Sequence, residues 1–103
     1  MNMSKYQQLV ARTMNKTLSL EQATANYAMG LCGEAGEVSE PLKKHLFHGK
    51  SLDVDALAAE MGDVAWYLAA LANTLGIDMG EVLASNVEKL KARWPNGFQP
   101  QPE

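Results

Sequence analysis

Two short acidic motifs are the residues of this 103-residue chain whose types and spacing could do chemistry. The runs Leu31–Val38 and Leu57–Val64 share the form L-x-x-E-x-G-[E/D]-V and begin 26 residues apart. Each run holds two carboxylates three residues apart, a spacing that places them side by side on one helix face. The four acids, with 22 residues between the two pairs, are Glu34, Glu37, Glu60 and Asp63.

The four acids have no basic residue three or four positions away that could neutralise them locally. Each pair lies between the Leu and Val of its motif, and desolvating a carboxylate beside apolar groups is costly without a compensating cation. A metal ion held by oxygen donors, Mg²⁺ or Mn²⁺, would supply that cation. Zinc favours His or Cys, and a di-iron bundle uses Glu-x-x-His pairs. The alternatives are a solvated acidic face and pairing with bases from elsewhere in the fold.

The elements that must position these acids are helices, because apolar residues recur at helical spacing and β-type alternation is absent. Ser19 to Gln22 has the form of a capping box, and Gly76 is a typical helix-ending residue. Apolar stripes on the third and fourth helices are typical of a helical bundle. The four predicted helices are about Ser4–Asn15, Ser19 towards Gly49, Asp53 to Gly76, and Asp78 to a point before Pro95.

Proline and glycine modify this pattern at three positions. Pro41 lies inside the second helical segment and has no amide hydrogen for the carbonyl of Glu37, so we expect a kink or break there. Gly36 and Gly62 occupy equivalent positions in the two motifs and predict a close approach of the two helices beside the acids. The alternative for the glycines is an ordinary packing contact.

Composition bounds the class of protein. A hydrophobic fraction of 47% excludes a disordered chain, and a net charge of −3 argues against a nucleic-acid binder. Cys32 is the single cysteine, and the longest uncharged apolar stretch, residues 64–77, is shorter than a membrane span. We therefore expect a single-domain cytoplasmic protein with a proline-containing tail over residues 96–103. Residues 64–77 need burial on every side, which favours self-association.

These motifs resemble those of the MazG-like, all-α nucleoside triphosphate pyrophosphohydrolases, which are marked by E-x-x-E, a spacer and E-x-x-D. The runs GEAGEVSEPLKK, EMGDVAWYL and NVEKLKARWPNGF are also similar to compact members of that family. The resemblance implies a four-helix domain over residues 1–95 that forms homodimers or tetramers. It implies hydrolysis of a (deoxy)nucleoside triphosphate between its α- and β-phosphates, in nucleotide-pool housekeeping, with Mg²⁺ held by the four acids and Mn²⁺ as a possible substitute.

The resemblance also implies roles for individual residues. One of the four acids, or Glu40, would orient or deprotonate the attacking water, and Glu37 and Glu40 are the candidate catalytic residues. The N-x-x-K-L-x-x-R run matches positions that bind nucleotide in the family, and these are Asn86, Lys89 and Arg93.

Other side chains have weaker assignments. Lys43 and Lys44 are candidate phosphate contacts, but they are equally explained as partners of Glu40. Trp66 or Tyr67 could stack on a base, although bundle core is the favoured alternative for both. His45 and His48 do not have the spacing of a zinc site. The rival function is a non-catalytic, metal-stabilised helical module that binds nucleotides or a partner protein.

Overall fold

The computed structural model describes residues 1–100, which form five α-helices and no strand. The all-α prediction is confirmed, and the second predicted helix is divided into two. The helices are α1 (Met3–Ala11), α2 (Leu20–Glu37), α3 (Ser39–His48), α4 (Val54–Leu75) and α5 (Met79–Arg93). The predicted tail begins with a turn at Gly97, and residues 101–103 of that tail lie outside the described residues.

The helix ends follow the capping signals. Ser19 accepts a hydrogen bond from the backbone of Gln22, whose side chain returns one, so the predicted capping box is confirmed. Asp53 caps α4, and Gly76 ends it with a positive φ of 68°, a conformation that glycine adopts without steric cost. Asp78 caps α5, but no side-chain bond from Glu81 returns among the described residues. That end is therefore a simple N-cap.

The break before Pro41 divides the second predicted helix at Val38. Pro41 is buried in the first turn of α3, where a missing amide hydrogen is tolerated. In a continuous helix, the amide of residue 41 would donate to the carbonyl of Glu37. Pro41 has no amide hydrogen, and Glu37 is the last residue of α2. The predicted break is thus confirmed, and it sets α3 as a separate arm beside the acidic motifs.

The core is built where α2 packs on α4 and α1 packs on α4. Its buried members are mostly small, which lets the helices approach closely, and Tyr27 is the large exception: Val10, Ala23, Tyr27, Ala69 and Ala70. The closest approach lies at Gly30, where a Cβ atom would collide with the ring of Tyr67. A Cβ on Gly36 or Gly62 would meet nothing within 4 Å, so the predicted close approach at those two glycines is wrong.

Helix α5 packs on α1 and leaves its apolar stripe uncovered. Leu83, Val87 and Leu90 are 45%, 46% and 48% exposed. The chain's radius of gyration is 17.0 Å. A compact domain of this length would have a radius of gyration of about 13 Å. A single chain is therefore more extended than a compact domain of this length. No helix within residues 1–100 combines the length and apolarity that crossing a membrane requires.

Candidate functional site

The packing of α2 on α4 brings three of the four motif acids together. One carboxylate oxygen from each of Glu34, Glu60 and Asp63 lies within 4.8 Å of the other two. Glu60 and Asp63 are neighbours on α4, and Glu34 faces them from α2. Glu34 and Glu60 are half-buried and Asp63 is exposed. We call these three residues the acid cluster.

The electrostatics of the acid cluster favour a cation. Partial burial is the main cause that raises the pKa of Glu34 above its ordinary value. The charge of Asp63, a hydrogen bond to Glu60, and the charges of Glu60 and Glu37 act in the same direction. Like charges held close together disfavour ionisation, and a bound cation removes that penalty.

The donor set of the acid cluster fits a metal ion. Three carboxylates from two helices supply hard oxygen ligands, which are those that Mg²⁺ and Mn²⁺ prefer. No histidine or cysteine belongs to any group of metal-ligand type within residues 1–100. Cys32 is a free, exposed thiol. The acid cluster can therefore hold a divalent metal ion with oxygen ligands.

The alternative to a metal ion, pairing of the acids with bases elsewhere in the fold, does not occur in the described part of the chain. The ion pair found there joins Lys91 to Glu88 at 3.5 Å, between two exposed side chains of α5. Lys43 and Lys44 likewise form no ion pair with Glu40 among residues 1–100. The acid cluster is thus left without a protein counter-charge in residues 1–100.

Glu37 and Glu40 lie in a groove beside the acid cluster. The groove has a volume of about 520 Å³ and runs between α3, the loop after it and the start of α4. We call it the lysine groove because Lys44 and Lys50 line it. Glu37 is outside the group of three closely spaced carboxylates, although it was predicted as a fourth ligand. The side chains that give the groove its charge are Glu37, Glu40, Lys44, Lys50, Asp53 and Glu60.

Lys50 is the groove residue that sequence reasoning missed. Gly49 ends α3 with a φ of 66°, and the amide of Lys50 donates to the carbonyl of Lys44 at 3.3 Å. His45 Nδ1 lies 2.7 Å from the carbonyl oxygen of Lys50, and because that oxygen can only accept, Nδ1 is the donor. Gly49, a typical helix-ending residue, was the sequence signal for the turn that carries Lys50 into the groove. His45 thus fixes a backbone turn rather than ligating a metal.

A smaller aromatic pocket of about 380 Å³ flanks the other side of the acid cluster, lined by Glu34, Asp63, Trp66 and Tyr67. Trp66 Nε1 donates to Thr13 Oγ1 at 2.8 Å, and the Trp66 ring meets Tyr67 edge-on at 5.1 Å. Both rings are half-buried and pack against the core. Trp66 and Tyr67 therefore pack against the core, as the favoured alternative predicts, and they also line the pocket. Stacking on a base stays a prediction.

The polar residues predicted on α5 line neither cavity beside the acid cluster of their own chain. Asn86, Lys89 and Arg93 are exposed on a helix that packs on α1, and they line neither the groove nor the aromatic pocket. The Arg93 guanidinium lies 5.2 Å from the ring of Trp94. Lys43 is exposed and lines neither cavity. None of these four predicted substrate contacts therefore lines the cavities beside the acid cluster of its own chain.

The fold and the site together define an all-α domain with a cluster of three carboxylates between two packed helices. Comparison with known proteins gives the family: the model of the MazG nucleotide pyrophosphohydrolase domain matches residues 22–98. The chain belongs to that family, as its acidic motifs predict.

Known relatives add one further comparison. The chain is similar to the Gene 37 protein of Mycobacterium phage L5, with 42% identity over 73 residues. The aligned region is 67% of this chain and 64% of that protein, so the chain spans less than two-thirds of the relative's length. No solved structure matches the chain.

Proposed function

We propose that the chain is a Mg²⁺-dependent nucleoside triphosphate pyrophosphohydrolase. It would cleave a (deoxy)nucleoside triphosphate between the α- and β-phosphates and release the monophosphate and pyrophosphate, in nucleotide-pool housekeeping in the cytoplasm. The observation that carries the proposal is the convergence of Glu34, Glu60 and Asp63 within 4.8 Å, without a protein counter-charge in residues 1–100. Its family, which is described as nucleotide pyrophosphohydrolase, gives the reaction class.

The acid cluster would hold the metal, with Mn²⁺ as a possible substitute. Bound Mg²⁺ would neutralise the phosphate oxygens and polarise the bond that breaks. The chain's own contribution is to preorganise the ligands, because the α2–α4 contact holds them before any nucleotide arrives. Without the metal, the same carboxylates would repel a triphosphate.

Glu37 and Glu40 are the proposed catalytic carboxylates. Both line the groove that Glu60 shares with them, one at the end of α2 and the other at the start of α3. From there either can accept a hydrogen bond from a water molecule and orient it towards phosphorus.

Self-association is part of the proposal, as a homodimer or a tetramer of residues 1–95. The chain exposes 7693 Å² of surface. A compact monomer of this mass would expose roughly 5,700 Å². The excess of about 2,000 Å² per chain is in the range of obligate dimer interfaces. The uncovered stripe of α5 is the surface that a second copy would cover. Asn86, Lys89 and Arg93 lie on that helix, so their proposed nucleotide contact requires the second copy.

The experiment that tests the function is incubation with a panel of nucleoside triphosphates, with and without Mg²⁺. Release of pyrophosphate and monophosphate in a Mg²⁺-dependent manner supports the proposal, and relative rates across the panel identify the base and sugar. Release of orthophosphate would point to another phosphatase reaction. No turnover, with Mg²⁺ still raising the melting temperature, would favour the non-catalytic nucleotide-binding module.

A further inference from the structure

Gln7 is a polar side chain buried at the joint between α1, α4 and α5, where it is 8% exposed. Its Nε2 donates to Asn73 Oδ1 at 3.0 Å and to the carbonyl of Ile77 at 2.9 Å, and its Oε1 accepts from the amide of Met79 at 2.8 Å. Asn73 Nδ2 donates in return to the carbonyl of Gln7 at 3.0 Å. One side chain of α1 thus joins the end of α4, the turn after it and the first residue of α5.

Helix α5 has little other support within its own chain. Met79 is buried, whereas residues 81–93 are exposed. The helix on which α5 packs is α1, and the hydroxyl of Ser4 on α1 adds a bond of 3.2 Å to Asp78, the N-cap of α5. The direction of α5 is therefore set at its first turn, by side chains of α1.

Packing alone does not require a polar residue at position 7. Apolar groups of the same shape can replace both partners of a buried hydrogen bond at almost no cost in stability. Hydrophobic contacts are non-directional, whereas an N–H···O bond prefers an angle above about 150°. The bonds of Gln7 therefore add a constraint on direction that an apolar side chain would not supply.

The far end of α5 depends strongly on that direction. At 1.5 Å per residue, Arg93 lies about 21 Å along the helix from Met79, and a tilt of about 10° at the first turn would move it by about 4 Å. A charge-assisted hydrogen bond does not survive such a displacement. The groups that Lys89 and Arg93 can reach thus depend on the joint at the other end of their helix.

We infer that Gln7 is a positioning residue: its bonds to Ile77 and Met79 fix the direction of α5 and so hold Lys89 and Arg93 where they contact the nucleotide. This inference rests on the proposed pyrophosphohydrolase function and adds to it a residue that acts through α5 rather than on metal or substrate. Gln7 also lies before residues 22–98, the segment that the family model matches.

The direction of α5 is measured by the distance between two spin labels in the full chain. One label is attached to Cys32, an exposed thiol on α2, and the other to Ala92→Cys, at an exposed position near the end of α5. An excess of unlabelled chain suppresses distances between copies. Gln7→Met introduces an unbranched apolar side chain and should broaden or shift the distance distribution by about 4 Å. Gln8→Met makes the same change at an exposed neighbour and should leave the distribution as in wild type.

The kinetic test separates positioning from stability. Gln7→Met should raise KM for the best-hydrolysed nucleotide about tenfold, the loss expected for one charge-assisted hydrogen bond. It should leave kcat within about twofold, because a contact made equally in ground and transition states affects binding alone. A purely structural role would lower the active fraction, and with it kcat, at an unchanged KM. Stabilisation by Mg²⁺ should persist, because the acid cluster lies on α2 and α4.

A second pair of variants decides the inference if circular dichroism shows that Gln7→Met does not fold. Met79→Pro removes the amide that Gln7 accepts from, at the first helical position, where proline is favoured. Met79→Ala loses the same side-chain packing but keeps that amide. Met79→Pro should change the label distances and KM more than Met79→Ala does. Equal effects of the two changes would overturn the inference.

Failure of the proposed function gives a different result. If no nucleotide is hydrolysed, the activity proposal fails, and the label distances together with equilibrium binding of a nucleoside triphosphate still decide the role of Gln7. If nucleotides are hydrolysed while Gln7→Met keeps wild-type distances or a wild-type KM, the activity stands and the inference is overturned.

Discussion

The carboxylates of Glu34 and Glu60 approach within 4.8 Å across the contact between α2 and α4. They occupy the same position in the two copies of one motif, so the repeat in the sequence becomes a facing pair in the fold. Folding therefore brings like charges together and leaves them without a lysine or arginine partner in residues 1–100. The free energy of that arrangement depends on what neutralises it, which can be a metal ion or a proton.

The first prediction concerns the charge of Glu34. Glu34→Gln should raise the melting temperature of the protein in EDTA at neutral pH, because it removes a half-buried charge that faces Asp63 and Glu60. The same change should reduce or remove the increase in melting temperature that Mg²⁺ gives wild type. Differential scanning fluorimetry with and without Mg²⁺ measures both effects.

Glu21→Gln is the matched control for this prediction. It removes one negative charge from the same helix, but at the first turn, where the helix dipole favours an acid. Its melting temperature in EDTA should not rise, and its response to Mg²⁺ should equal that of wild type. A Glu34→Gln protein that melts below wild type in EDTA would contradict the repulsion described above.

The second prediction is a pH dependence. The raised pKa of Glu34 means that the folded state binds its proton more tightly than the unfolded state does. The resulting stabilisation is complete below the ordinary value of 4.5 and is lost as the pH rises through the raised folded-state value. The melting-temperature advantage of Glu34→Gln over wild type in EDTA should therefore shrink as the pH is lowered from neutral towards 4.5. An advantage that stays constant across this range would exclude Glu34 as its source.

Much of this architecture could be predicted from sequence because its causes are local. Asp53 and Gly76 bound α4 through backbone geometry that each residue sets by itself. Pro41 interrupts the second helix because it lacks a donor. The acidic repeat predicted that its members would meet, and three of the four do.

What sequence reasoning missed depends on tertiary placement. Gly36 and Gly62 have the same spacing from their acids, but the close contact lies at Gly30, where a ring from α4 meets α2. Lys50 lies after the end of α3, outside any helix, and reaches the groove through a turn. Arg93 matches a nucleotide-binding pattern. The groups that Arg93 can reach depend on the helix against which α5 packs, and that helix is α1. No local rule contains that information.

The third prediction separates metal binding from catalysis. Glu60→Gln should abolish both turnover and the stabilisation by Mg²⁺, because Glu60 belongs to the acid cluster. Glu37→Gln should lower kcat by about 100-fold or more while Mg²⁺ still stabilises the protein, because a groove carboxylate acts on water. Steady-state kinetics and scanning fluorimetry on both variants provide the comparison. Full activity in Glu37→Gln would remove that residue from the mechanism.

The fourth prediction uses the glycines of α2 and α4. Gly30→Ala should destabilise the fold by roughly 1–3 kcal/mol, since its methyl group displaces the ring of Tyr67. Gly62→Ala should be neutral or stabilising by up to about 1 kcal/mol, because alanine is the better helix former and its Cβ meets nothing within 4 Å. Urea unfolding monitored by circular dichroism gives both free energies. Equal destabilisation by the two changes would place a close packing contact at Gly62 after all.

The fifth prediction concerns the uncovered stripe of α5. Val87→Glu should dissociate the proposed dimer or tetramer, because an unpaired charge would be buried against the second copy. Ser85 lies on the opposite face of the helix, so Ser85→Glu introduces the same charge where solvent can accept it. Light scattering coupled to size-exclusion chromatography should show wild type and Ser85→Glu as assemblies of the same size and Val87→Glu as a smaller species.

Loss of nucleotide turnover in Val87→Glu, with the Mg²⁺ response intact, would show that the acid cluster folds within one chain while nucleotide binding needs two. A monomeric wild type would contradict the assignment of α5 as an interface.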